Sequence, residues 1–338
     1  MMASSQSLQT KAFVVDHVGG PFTLKNVILD GIRGDEILDI VVKDVGMPVG
    51  GFPVVLGHEG LGIVRQVGTD VVDKSLRLGD TTNTSPISLL DGQAVHGQFF
   101  GQSSLSRLAV ATEKSVVKID ARPEDLAYLA PLACGYLTGA STVLNVLAPR
   151  RTECIAVLGM GAVGLAAVMA AKSLGVEHIL AVDIVDAKLA TATEVGASYA
   201  INPRAFANLN DGIRSVFPSG EDKIVDATGI IAVLNDAARA LAHGGTLALV
   251  GVPPPNAQLQ VDALDLLLSC KKIVGVIEGL CSPQETIPRQ VKLYYEGKFP
   301  VHKLATLYAV EEMEKAIEDF KNGKVIKPIL SWGSVDQS

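Results

Sequence analysis

Residues Ile155-Ala156-Val157-Leu158-Gly159-Met160-Gly161-Ala162-Val163-Gly164 carry a short apolar strand into a glycine-rich turn. An Ala-rich helical stretch follows to about Leu174, and His178–Val182 is a second apolar run that ends at Asp183. A GxGxxG triplet alone is a weak signal. Set between a strand and a helix, with an acid closing the next strand, it is a dinucleotide-binding fingerprint. Gly159 permits the tight turn, Gly161 lets the backbone approach a pyrophosphate, and Gly164 allows close helix–strand packing. The N–H groups of the helix start, at Ala162 and Val163, then face the phosphates with the positive end of the helix dipole. Asp183 stands 19 residues beyond Gly164. A carboxylate there accepts hydrogen bonds from ribose hydroxyls and repels a 2′-phosphate, so the reading favours NAD over NADP. Lys188 is the nearest base downstream, and Thr228, just past the third strand, joins the expected cofactor contacts.

The same alternation continues on both sides of Asp183. Helices are expected over Asp186–Glu194 and Ile230–Leu241, and strands over Lys223–Asp226 and Thr246–Val250. Leu264–Ser269 and then a strand near Ile273–Val276 complete the unit. Strand–helix alternation of this kind implies a parallel, doubly wound sheet. Residues 10–145 have another texture, with short Val/Ile runs at Lys11–Asp16, Ile37–Val42 and Gly62–Val67 punctuated by Gly, Pro and Asp, which read as strands. One helix is expected from Pro123 through Ala130. Two more, Arg289–Glu296 and Val310–Asn322, precede a closing strand, Lys327–Leu330.

The chain of 338 residues is 48% hydrophobic and 19% charged, so it can bury a large core. A net charge of −7 argues against a nucleic-acid partner. Residues 154–182 are strongly apolar but are broken by glycines, Lys172, Glu177 and His178, and read as strand–helix–strand rather than a membrane span. Met1–Thr10 lacks the apolar core of a secretory signal. The four cysteines, at 134, 154, 270 and 281, fit neither a disulfide framework nor a CxxC metal ribbon and read as free thiols. A cytoplasmic location is the expectation, with a small-molecule substrate and without a membrane or nucleic-acid partner.

Several segments outside the dinucleotide fingerprint carry a resemblance. They are Gly57-His58-Glu59-Gly60, Phe99-Phe100-Gly101-Gln102-Ser103-Ser104, Cys134-Gly135-Tyr136-Leu137-Thr138-Gly139, Gly297-Lys298-Phe299-Pro300 and Ile326-Lys327-Pro328. Together they resemble the zinc-type medium-chain alcohol dehydrogenases, the aryl-alcohol branch in particular, over nearly the whole chain. The resemblance implies an α/β fold with a GroES-like, β-rich catalytic domain at 1–140, a Rossmann NAD-binding domain at 141–280 and a return to the catalytic domain at 281–338. It implies His58 and Cys134 as catalytic zinc ligands and Glu59 as a nearby carboxylate able to enter the coordination shell. It brings Thr138 and the backbone around Val252 to the nicotinamide, and Lys327 to the pyrophosphate. It also implies a homodimer, paired through the edge of the nucleotide-domain sheet near Ile273–Val276.

The sequence departs from that family pattern twice. Residues 36–57 contain no Cys, His, Ser or Thr, so one cysteine ligand and the usual relay hydroxyl are missing. Residues 81–98 contain no cysteine, so no structural zinc is expected. The catalytic set His58, Glu59 and Cys134 is therefore incomplete, and nothing in the sequence places Asp39, Asp44 or His96 as a substitute. Each candidate has a plain alternative: His58 as a hydrogen-bonded cleft residue or an acid–base group, Cys134 as a small buried side chain, His96 on a loop, Phe99 and Phe100 as wall residues. Three functions stand at this point. One is NAD(H)-dependent hydride transfer on an apolar or aromatic alcohol or aldehyde. Another is zinc-independent reduction of C=C or C=O. The last is a non-redox cyclase or isomerase that retains a cofactor site.

Overall fold

The computed structural model describes residues 7–17, 19–29, 36–39, 52–61, 66–67, 87–96, 103–112 and 116–333. The chain divides into two compact units, Met1–Ala133 with Ala305–Ser338, and Cys134–Leu304.

Among the described residues up to Thr112, the regular elements of the first unit are strands. They are β1 (Leu8–Val15), β2 (Thr23–Leu29), β3 (Glu36–Asp39), β4 (Val54–Val55), β5 (Gln66–Val67), β6 (Ile87–Leu89), β7 (Ala94–Val95) and β8 (Ala109–Thr112). Among the described residues these form a sheet in the order β4-β1-β2-β6-β7 and another in the order β5-β3-β8. The expected strands at 11–16, 37–42 and 62–67 are found where the chain is described; residues 40–42 and 62–65 lie outside it. The helix expected from Pro123 is one short α turn, α1 (Leu126–Leu129), between two 3-10 turns at Pro123–Asp125 and Ala130–Ala133. Pro123 opens the first turn, where its missing N–H costs nothing.

The second unit opens with α2 (Gly135–Ser141), buried along its whole length, which passes into a π-helical stretch at Thr142–Leu147. Then β9 (Cys154–Leu158), α3 (Ala162–Ser173), β10 (His178–Val182), α4 (Asp186–Val195) and β11 (Tyr199–Ile201) alternate. They are followed by α5 (Leu209–Val216), β12 (Glu221–Asp226), α6 (Ile231–Ala240), β13 (Leu241–Leu249), α7 (Ala263–Leu268), β14 (Lys272–Gly275) and α8 (Pro283–Tyr295). The strands make one parallel sheet in the order β11-β10-β9-β12-β13-β14, the doubly wound arrangement expected of a Rossmann domain. Ala156, Leu158, Leu180, Val182, Ile224 and Leu247 on its strands pack with Leu209 and Ile213 of α5 and Leu234 and Ala237 of α6. Helices on both faces explain why β9 and β10 read as unbroken apolar runs.

The chain then returns to the first unit with β15 (Ala305–Ala309), α9 (Met313–Lys321) and β16 (Lys327–Ser331). β15 and β16 pair in parallel. Tyr308, Val310, Met313, Ala316 and Leu330 share one buried cluster with Ala12, Phe13, Val14, Val55 and Leu105. Burial of that apolar surface holds the C-terminal segment on the N-terminal one.

Candidate cofactor and catalytic site

The C-terminal edge of the second unit's sheet collects most of the predicted cofactor residues. β9 ends at Leu158, and Gly159 turns at a φ of +90°, a conformation that a side chain would strain. The Gly159 N–H donates to the Val182 carbonyl at 2.8 Å, which ties the turn to β10. A Cβ on Gly164 would lie 1.8 Å from the Gly159 carbonyl oxygen, so only glycine lets α3 start this close to its strand. Among the described residues a Cβ on Gly161 would meet nothing within 4 Å, which leaves space beside the backbone where a pyrophosphate would come. Gly161 caps α3, and the N–H groups of Ala162, Val163 and Gly164 in its first turn have no helical carbonyl before them to bond. An open cradle at a helix N-terminus fits a dinucleotide.

Asp183 follows β10 and is half-buried. Its Oδ2 accepts the Met160 N–H at 2.7 Å and its Oδ1 accepts the Val185 N–H at 2.9 Å. An ionised carboxylate has about four acceptor positions, so two remain for ribose hydroxyls. Lys188 lies on the first turn of α4, its N–H donating to the Val185 carbonyl. Thr228 and Val252 sit on the turns that follow β12 and β13, and Val252 is 78% exposed. Thr138 is buried on α2, and its N–H donates to the Cys134 carbonyl at 2.7 Å. α2 lies close on the start of α3, since a Cβ on Gly139 would come 1.9 Å from the Val163 carbonyl oxygen.

In the first unit, the Gly57-His58-Glu59-Gly60 segment is held by its neighbours. The Ser104 N–H donates to the Gly57 carbonyl and the Leu105 N–H to the Leu56 carbonyl, both at 2.9 Å. The Ser103 hydroxyl donates to the Val55 carbonyl at 2.8 Å. Phe99 and Phe100 of the expected pocket wall lie outside the described residues, as do Asp44 and the Asp39 side chain. His96 pairs with the strand edge, its N–H on the Pro53 carbonyl and its carbonyl taking the Val55 N–H. Glu59 is buried, and its Oε2 takes the Lys327 ammonium at 2.5 Å. Lys327, expected at the pyrophosphate, thus has its ammonium on a carboxylate of its own unit. A buried ion pair of this kind is costly to break from one side, because the partner is left charged in a poorly solvated place.

Sequence reasoning missed two features here. It placed Lys327 and Glu59 separately, because a separation of 268 positions hides the pairing. It also passed over Asp226, fully buried at the end of β12. Burial pushes the Asp226 carboxyl above the usual range, opposed by donors from Thr228 and Gly229. The signal was available in Asp226-Ala227-Thr228-Gly229, an acid before a Thr-Gly turn.

Known proteins resemble this chain in sequence and fold. The family model for zinc-binding dehydrogenases matches residues 162–295. A geraniol dehydrogenase from Castellaniella defragrans is 33% identical, with 96% of this chain and 98% of its own covered. The chain belongs to the zinc-type medium-chain dehydrogenase family. The dehydrogenase also superimposes on a solved alcohol dehydrogenase zinc-binding domain protein from Burkholderia ambifaria, with a TM-score of 0.90 at 34% identity over 97% of this chain and 100% of that one. For the benzyl alcohol dehydrogenase of Acinetobacter calcoaceticus the TM-score is 0.85 at 32% identity, over 96% and 99%. The dehydrogenase is therefore an alcohol dehydrogenase-type oxidoreductase that pairs a small-molecule substrate with a nicotinamide cofactor. Among its described residues no single helix is long and apolar enough to cross a membrane.

Proposed function

We propose that this dehydrogenase uses NAD(H) rather than NADP(H), and moves a hydride between the nicotinamide and an apolar or aromatic alcohol or aldehyde. The observation that carries the cofactor choice is Asp183, a carboxylate bonded to the Met160 N–H of the glycine turn itself. A 2′-phosphate on that ribose would meet its negative charge. Asp183→Ala is expected to weaken NADH about tenfold and to improve NADPH relative to it. Fluorescence titration of both nucleotides checks this, and an unchanged preference overturns the assignment.

The apolar substrate rests on two supports. Val252 and Ile277, just past β13 and β14, are 78% and 76% exposed at the edge of the sheet where α/β folds bind ligands. Two of the relatives bear the names geraniol dehydrogenase and benzyl alcohol dehydrogenase. In the reducing direction the bound nicotinamide would supply a hydride to the carbonyl carbon while a proton joins the oxygen, giving the alcohol and the oxidised cofactor. Thr138, Val252 and the glycine turn would orient the cofactor. His58, whose ordinary pKa lies near neutrality, is the residue offered for the proton.

His58, Glu59 and Cys134 are the donors that would hold the family's catalytic zinc, which would act there as a Lewis acid on the substrate oxygen. One cysteine of the family's set is missing from residues 36–57, and the Lys327 ammonium on Glu59 Oε2 competes with a metal for that carboxylate. This pairing favours the zinc-independent reductase as the second reading. Elemental analysis of the purified enzyme is expected to find well under one zinc per chain; a full equivalent overturns the incomplete site. A cytoplasmic homodimer, paired through the β14 edge, completes the proposal.

A further inference from the structure

We infer that Asp226 is a positioning residue, whose buried carboxylate and carbonyl lock together the two turns that present Thr228 and Val252 to the cofactor. The inference rests on the proposed NAD(H) site and adds a residue that does not touch the nucleotide.

Asp226 is the last residue of β12 and is fully buried. Its carboxylate works on the turn that follows its own strand. Oδ1 accepts the Thr228 N–H at 3.1 Å and the Thr228 hydroxyl at 2.6 Å, and Oδ2 accepts the Gly229 N–H at 3.0 Å. Its main-chain carbonyl works on the turn after the neighbouring strand β13, accepting the Val250 N–H at 3.0 Å and the Gly251 N–H at 2.8 Å. One residue thus collects five donors from two turns. Thr228 relays the order onward, since its Oγ1 accepts the Ile230 N–H at 3.1 Å, where α6 begins.

The two turns also touch backbone to backbone. A Cβ on Gly229 would lie 2.5 Å from the Val252 carbonyl oxygen, and a Cβ on Gly251 would lie 2.2 Å from the Gly229 nitrogen. On the other side, a Cβ on Gly159 would come 3.0 Å from the Thr228 methyl. Glycine turn, Thr228 turn and Val252 turn therefore form one packed edge. Contacts this close leave no slack, so a shift of one turn moves the others. A buried carboxylate is expensive unless donors satisfy it, and here every donor to it comes from the turn it fixes. Its chemistry is spent on loop geometry at the place where a dinucleotide would cross the sheet edge.

The test compares wild type with Asp226→Asn, which keeps the shape but turns a donor toward N–H groups that need an acceptor. Thr228→Val is the companion; it keeps the branched side chain and removes the 2.6 Å bond to Asp226. NADH affinity is read by nucleotide fluorescence at a temperature where thermal melts show each protein folded, together with KM for NADH and kcat on an aryl aldehyde. The expected result for Asp226→Asn is an NADH Kd and KM raised about tenfold, with kcat at saturating NADH within about twofold of wild type. Thr228→Val should give a smaller rise in the same direction. A merely structural residue would lower the melting temperature and leave Kd and KM of the folded protein alone. An NADH Kd within twofold of wild type in folded Asp226→Asn overturns the inference while the NAD(H) reading stands. If Asp226→Asn does not fold, an unchanged Kd in Thr228→Val overturns it instead. Wild type that binds neither NADH nor NADPH overturns both.

Discussion

Glu221 is the residue that the proposed chemistry leaves unused. It starts β12 fully buried, and among the described residues neither carboxylate oxygen has a hydrogen-bond partner. Burial, with the charge of Asp222 beside it, pushes its carboxyl up to about 8. The folded pKa is raised above its unfolded value, so the native state holds the extra proton. That stabilisation is complete below the unfolded pKa near 4.5 and is lost as pH rises through about 8. Between pH 7 and 9 the protein should lose about 1 kcal/mol and a few degrees of Tm. Glu221→Gln should flatten that slope and melt higher at pH 9; parallel slopes in thermal melts would show that Glu221 is not the cause. The neighbouring Cys154 thiol is pushed to about 12 by its burial first and then by Glu221, Asp222 and Glu153. A thiol held that far from its thiolate is a poor nucleophile, in keeping with its reading as an incidental free cysteine.

Among elements, α2 depends most on a neighbour. It is short and wholly buried, so its position is set by packing against α3. Gly139→Ala would drive a methyl into the Val163 carbonyl and force the helices apart. We expect a loss of about 2 kcal/mol and weaker NADH binding, because Thr138 rides on the displaced helix. A mutant with wild-type melting temperature and NADH affinity would show that the contact yields without cost. The elements also divide by how visible they were. β9, α3, β10 and α4 stand where periodicity and punctuation place them. β11, with three residues, and β15 exist through pairing with β10 and β16, so no local pattern announces them. α5 was missed although Asn208 accepts the Asp211 N–H, a cap that its sequence displays. β13 begins at Leu241 rather than at the expected Thr246, because an irregular register opposite β12 absorbs Gly244 and Gly245. α8 starts at Pro283 rather than Arg289 and tolerates Pro288 inside. Proline there forfeits one bond, and burial of Ile287 and Val291 compensates.

At the scale of the whole molecule, β14 ends the six-stranded sheet with one edge carrying no strand among the described residues. Leu264, Leu267 and Leu268 on the preceding α7 are all exposed. An open strand edge beside an apolar ridge is an assembly surface in a protein that avoids aggregation. In the proposed dimer a second copy pairs there, extending the sheet across a two-fold axis. Sedimentation should give twice the chain mass for wild type and the chain mass for Leu267→Asp. A wild-type monomer at micromolar concentration sinks the dimer.

The sequence by itself determined the Rossmann unit. Its strand, glycine turn, helix and closing acid are neighbours in the chain, and local periodicity with steric demands on glycine suffices to read them. Gly159, Gly161, Gly164 and Asp183 stood out for that reason. It also displayed the family segments around His58, Cys134 and Lys327. Partnership over distance came from the packing of the folded chain. Lys327 lies on Glu59 because burial of the C-terminal segment in the first unit's core brings β16 to the Gly57–Gly60 segment. Asp226 gathers two turns because β12 and β13 are adjacent in the sheet. Both arise from packing between segments far apart in sequence, where no local spacing records which charge will meet which.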